Sequence, residues 1–91
     1  MTKYEKIAEI LKVLGHPVRL QIVEGIILNE CNVSKIQKKM NLAQATVSQH
    51  MSLLKRVGVV ENKRNGNEVC YSVTNDFVKD IVAAIKKVKE K

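Results

Sequence analysis

Histidine and cysteine each occur only twice in this 91-residue chain, and neither stands where catalysis would need it. His16 and His50 have no Ser, Asp or Cys at a catalytic spacing, which leaves nucleophilic and acid–base chemistry without a constellation. Cys31 and Cys70 lie far apart, with no CxxC and no Cys/His ligand pattern, so they read as reduced thiols rather than a disulfide scaffold. The four glycines, Gly15, Gly25, Gly58 and Gly66, form no phosphate-cradling loop. No apolar run reaches the ~18 residues of a membrane span, because Glu24 interrupts "LQIVEGIIL". The opening "MTKYEKIAEI" is charged and amphipathic, unlike a signal peptide. These absences predict a cytoplasmic protein that is not an enzyme, has no confidently assigned metal site and does not engage a membrane.

Acidic residues are also scarce: 9 against 16 Lys and Arg, a formal charge of +7. That excess biases the chain toward polyanions such as nucleic acid. The length allows one domain with a thin core, and a second copy is a common way for so small a unit to gain burial.

The apolar pattern divides the chain into short elements. Ile7, Ile10, Leu11 and Leu14 recur at helical spacing, with Tyr4 extending the face. "GHP" then stops this helix and starts another, since Pro17 suits a first helical turn. Leu20, Ile22, Val23, Ile26 and Ile27 make the second helix apolar on most sides, hence central. A third helix is expected from Ser34, with Ser34 and Gln37 as a capping box, and it ends at Asn41, which tolerates a left-handed conformation. The turn 41–43 leads into "QATVSQHMSLLKR". Beyond Val59 the period changes to two, and Asn65-Gly66 between strand-like runs signals a hairpin. A two-residue loop at these positions pairs Lys63 with Glu68. A last helix begins at about Asn75 or Asp76, with Val78, Ile81, Val82, Ile85 and Val88 on one seam.

A short helix, a tight turn, a second helix and a hairpin are the order of a winged helix-turn-helix. The fold class is therefore mainly α with a small β-hairpin wing: one domain over 1–91, with the helix-turn-helix at about 34–57 and the wing at about 59–73. In the second helix of the motif, Val47, Met51 and Leu54 face the core, so Thr46, Ser48, Gln49, Ser52 and Arg56 point away. Gln44 stands at its start and His50 at the margin of the stripe, either donating to DNA or partly buried as a structural histidine. Gln can bond adenine through two hydrogen bonds, and Ser or Thr can serve a base or a phosphate. Lys63, Arg64 and Asn65 at the wing tip reach backbone or minor groove, and Ser34, Lys35, Lys38, Lys39 and Lys55 widen the basic surface. The partner is double-stranded DNA. The rival reading is a protein-interaction module, because winged helices also dock proteins through these surfaces.

The segments "LKVLGHPVRLQIV", "VSKIQKKMNLAQATVSQHMSLLKRVGVV" and "NKRNGNEVCYSV" together resemble the ArsR/SmtB family of bacterial and archaeal repressors over nearly the whole chain. The resemblance implies a homodimer joined through the first and last helices, about 2–14 and 75–90, on an inverted-repeat operator from which an inducer releases it. Tyr4, Ile7, Leu11, Val78, Ile81, Val82, Ile85 and Val88 are the expected dimerisation residues, with intramolecular packing as the competing use of the last-helix seam. The family's metal sites carry over poorly. Its Cys-x-Cys pair falls on Asn32 and Ser34, with Cys31 displaced by one, and the last helix has no histidine for the D-x-H site. Cys31 and Cys70 remain as a sensor pair, responding to oxidants, reactive sulfur or a soft metal ion, or else as small buried hydrophobes.

Overall fold

The computed structural model describes residues 2–29, 33–66 and 68–89, and the side chains of residues 29, 64, 65, 68 and 69 lie outside the description. The described elements run α1 (Lys3–Leu14), α2 (Pro17–Asn29), α3 (Val33–Met40), α4 (Gln44–Arg56), β1 (Glu61–Asn65), β2 (Glu68–Ser72) and α5 (Asp76–Ile85). This is the expected winged helix-turn-helix.

The expected central helix is central. Ile22, Val23 and Ile26 of α2 are fully buried, and α2 packs against α1, α3, α5 and β2. Each such side chain contributes about 1.5–3 kcal/mol on removal from water, so α2 is held by several increments. By contrast α3 buries only Ile36. The two helices touch closely at Gly25, where a Cβ would lie 2.6 Å from Ile36 Cδ1.

Both helices of the motif stop by the same device. At the end of α3, Asn41 takes φ 53°, and the Asn41 and Leu42 N–H groups donate to the carbonyls of Lys38 and Gln37 (3.1 Å each). At the end of α4, Gly58 takes φ 79°, its N–H donates to Lys55 O (3.1 Å) and that of Val59 to Leu54 O (2.9 Å). These paired bonds are the Schellman arrangement. Leu54 and Val59 are both completely buried, which supplies the accompanying apolar contact.

Three local expectations need correction. First, α3 already includes Val33, which puts Ser34 inside the helix rather than at its cap; the position before it lies outside the described residues. The chain's capping box is instead at α1, where Thr2 Oγ1 accepts from Glu5 N and Glu5 Oε1 from Thr2 N, and these bonds lower the Glu5 pKa. Second, the hairpin pairs Asn65 with Glu68 and Lys63 with Cys70, not Lys63 with Glu68. Asn65 ends the strand and Gly66, at φ 67°, enters the loop. The ladder has slid by two residues relative to the expected pairing, which keeps each side chain on its expected face.

Third, the last helix ends at Ile85, so Val88 lies beyond its seam and is 74% exposed. The helix starts at Asp76, as expected, and Asn75 caps it, its Oδ1 accepting from Val78 N at 3.2 Å. Val78 and Val82 are buried inside the subunit, where they cannot also meet a partner. On α1 and α5 the large apolar side chains left outside are Tyr4, Leu11 and Phe77, with Ile7, Ile81 and Ile85 half-buried.

The space around Gly58 is open to 4 Å, so a side chain there costs only its left-handed backbone. Gly58→Ala is therefore expected to lower unfolding stability by about 1–2 kcal/mol, whereas Asn41→Gly should leave it unchanged or raised. Urea denaturation of both variants measures this.

Candidate nucleic-acid interface

The flank of α4 opposite Val47, Met51 and Leu54 is polar. Gln44, Ser48, Gln49, Ser52, Lys55 and Arg56 are exposed and Thr46 is half-buried, and no Asp or Glu occurs in the helix. Ala43 precedes it without a side-chain cap, so the first-turn N–H groups are not consumed by one and remain available to an anion. Ser34, Lys35 and Lys38 of α3 are exposed, as is Lys63 of β1. The Arg64 and Asn65 side chains lie outside the described residues.

Lys55 bends toward the wing, with Nζ 6.0 Å from the Tyr71 ring centroid, a cation–π distance. It links the end of α4 to β2 as well as adding positive charge.

His50 has a partner that its sequence surroundings did not disclose. Arg19 Nε donates to His50 Nδ1 at 3.2 Å, and Arg19 Nη1 donates to Val13 O at 3.1 Å. One guanidinium thus joins α1, α2 and α4. His16 completes the corner: its Nδ1 accepts from Val18 N at 3.1 Å, capping α2, and its ring centroid lies 4.9 Å from that of His50. An imidazole accepting at Nδ1 is neutral with its proton on Nε2. Partial burial, then the nearby His16 and Arg19, lower the His50 pKa. The available signal for Arg19 was a lone cation in an otherwise apolar stretch.

Of the sensor pair, Cys70 lies half-buried on β2 and is disulfide-bonded, which overturns the expectation of a reduced thiol at this position. The reason is tertiary: sequence spacing says nothing about which sulfur the hairpin brings within reach. Cys31 lies outside the described residues.

Comparison with known proteins agrees with this fold. The profile of the family described as bacterial regulatory protein, arsR family, matches residues 16–62. An HTH-type transcriptional regulator of Methanocaldococcus jannaschii is 37% identical over 86 residues, covering 93% of this chain and 97% of that protein. The crystal structure of the transcriptional repressor PagR of Bacillus anthracis superposes with a TM-score of 0.82 at 36% identity, covering 90% of this chain and 94% of that one. Reduced HlyU from Vibrio cholerae N16961 gives 0.85 at 26% identity, covering 97% and 93%.

A pH dependence follows from the Arg19–His50 contact. The His50 pKa is lowered from its ordinary 6.5 in the folded chain, so its stabilising contribution is complete above that value and is lost as pH falls through the lowered one. Thermal unfolding between about pH 8 and pH 5 should show a fall in stability toward acid that is smaller in His50→Gln.

Proposed function

Because this chain belongs to the ArsR family of bacterial regulatory proteins, winged-helix transcriptional regulators that bind DNA, we propose that it is a homodimeric repressor that occupies an inverted-repeat operator. The observation that carries this reading is the exposed, carboxylate-free flank of α4. Gln44, Thr46, Ser48 and Gln49 present donors and acceptors to base edges in the major groove. Ser52, Lys55, Arg56, Ser34, Lys35, Lys38, Lys63, Arg64 and Asn65 supply contacts to the backbone. His50, held at Nδ1 by Arg19, has its Nε2–H left to donate. The protein is a regulator and not an enzyme, and among the described residues no helix is long and apolar enough to cross a membrane.

Dimerisation is read from the apolar side chains left in water. Tyr4 is 80% exposed, Leu11 47% and Phe77 38%, and covering them with a second copy removes that surface from water. Phe77 joins the expected set in place of Val78 and Val82. The two α4 helices then meet half-sites roughly 34–36 Å apart.

Release is read from the cysteines. Cys70 is disulfide-bonded, and the sequence holds one other cysteine, Cys31. We propose that these two cysteines form the bond and that it biases the motif against the operator; reduction restores two thiols and binding. Peroxide supplies the oxidant by accepting two electrons and forming water. Reactive sulfur or a soft metal ion acts on the same thiols.

Operator affinity should fall steeply with added salt, as several phosphates are neutralised. Gln49→Ala is expected to reduce discrimination between operator and mismatched DNA by about 1–3 kcal/mol, while Arg64→Ala weakens all sequences evenly. Gel shifts showing the reverse overturn the assignment. For the thiols, operator binding is expected to drop at least about tenfold (1.4 kcal/mol) on peroxide treatment. It should be insensitive in Cys31→Ser and Cys70→Ser; equal affinity of the reduced and oxidised wild-type chain makes the cysteines packing residues.

A further inference from the structure

His16 and His50 are the chain's two histidines. Although α2, α3 and half of α4 lie between them in sequence, their ring centroids are 4.9 Å apart, at a tilt of 54°. Each ring uses its Nδ1 inside the subunit, one accepting from Val18 N at 3.1 Å and the other from Arg19 Nε at 3.2 Å. Accepting there fixes the same tautomer twice, with the proton on Nε2. No hydrogen bond among the described residues uses either Nε2. Neither atom is sealed from water, because the one buried side-chain polar atom without a partner among the described residues is Ser72 Oγ. The corner therefore offers solvent two N–H donors, steadied by a backbone amide and a guanidinium.

The chemistry of the pair selects its ligand. A metal ion held at Nε2 requires the proton on Nδ1, donating to an acceptor, whereas Val18 N–H and Arg19 Nε–H are themselves donors. Two Nε2–H groups instead suit an oxyanion. With the centroids 4.9 Å apart, hydrogen bonds of about 2.9 Å from both rings are close enough to share one phosphate group, and Arg19 adds positive charge behind them. Position then names the source of the phosphate. His50 and Thr46, one turn apart and both half-buried, share the margin of α4 between the buried Val47, Met51 and Leu54 stripe and the exposed flank carrying Gln49. The middle of such a flank meets base edges, and its margin meets the sugar–phosphate wall of the groove.

We propose that His16 and His50 together clamp one DNA backbone phosphate at the edge of each half-site, with Arg19 as the positioning residue that holds His50 in its Nε2–H tautomer. The clamp rests on the repressor reading above and extends the DNA-binding surface beyond the helix-turn-helix and wing to the start of α2. Its donors are neutral, so it adds affinity without adding to the salt dependence that lysine and arginine contacts create.

The variants that test it are His16→Asn and His50→Asn. In each, the Asn Oδ1 takes over the Nδ1 acceptor position, which keeps the internal bond and the fold, while the Nε2–H is lost. Fluorescence anisotropy with the full chain, reduced, at about pH 8 uses a mixed-sequence duplex of about 30 base pairs, roughly three helical turns. Each variant is expected to bind about tenfold more weakly, with the slope of log affinity against log salt unchanged, whereas Lys63→Ala should lower that slope by about 0.9. On a duplex that the chain itself enriches from random sequence, a scan of single methylphosphonates should find one position per half-site that weakens the wild type about tenfold and His16→Asn no further. Variants that bind like wild type, a lowered salt slope in His16→Asn, or imidazole nitrogen NMR spectra showing Nδ1–H tautomers overturn the clamp. Saturable shifts of both imidazoles by inorganic phosphate, with DNA affinity unchanged in the variants, assign the pair to a free anion and overturn the DNA contact. If no sequence is enriched, the repressor reading fails by itself, and the mixed-sequence duplex still decides whether the two histidines hold a backbone phosphate.

Discussion

Burial of α2 is the constraint from which the rest of the subunit takes its position. Ile22, Val23 and Ile26 are out of water on a helix that packs against α1, α3, α5 and β2, so each of those elements is placed by reference to one rod. A helix apolar on most sides has no stable place except inside. Its polar exceptions mark places where it does something besides packing. Arg19 reaches across to Val13 O and His50, and Glu24 and Gln21 edge a cleft against α3.

Around that rod the helix-turn-helix is set largely by backbone chirality. The ends of α3 and α4 each require one left-handed residue, and Asn41 and Gly58 provide it at low steric cost. The Schellman bonds then fix the direction of the chain into α4 and into the wing. What α4 presents to the outside follows from the 3.6-residue period: once Val47, Met51 and Leu54 are committed to the core, the flank carrying Gln49 must face away. The Arg19–His50 bond and the Lys55–Tyr71 contact then steady α4 against α2 at one point and against β2 at another.

The sequence signals differ in how far they reached. Asn41, Pro17, Asn75 and the stripe on α4 act within a turn of the helix, and each was read where it operates. The S-x-x-Q pattern at Ser34 and the T-x-x-E pattern at Thr2 look alike on paper, yet only the second is a capping box, because α3 is already helical at Val33. Asn65-Gly66 announced the hairpin but not its register. Gly66 takes a positive φ, and Asn65 remains in the strand. Arg19 could be noticed as a cation among apolar residues, but its partner lies on another helix, beyond any local rule.

The amino-acid sequence by itself determined the fold class, the family, the helix stops at Gly15 and Asn41 and the polar flank of α4, because chirality, capping and helical period act between near neighbours. Only the tertiary structure decided which apolar side chains the subunit keeps for itself. Val78 and Val82 went inside while Tyr4, Leu11 and Phe77 stayed in water. It also set the partner of His50, the bonded state of Cys70 and the cleft beside Gly25. Each of these depends on how separately formed elements pack, and packing joins residues whose distance along the chain carries no record of their distance in space.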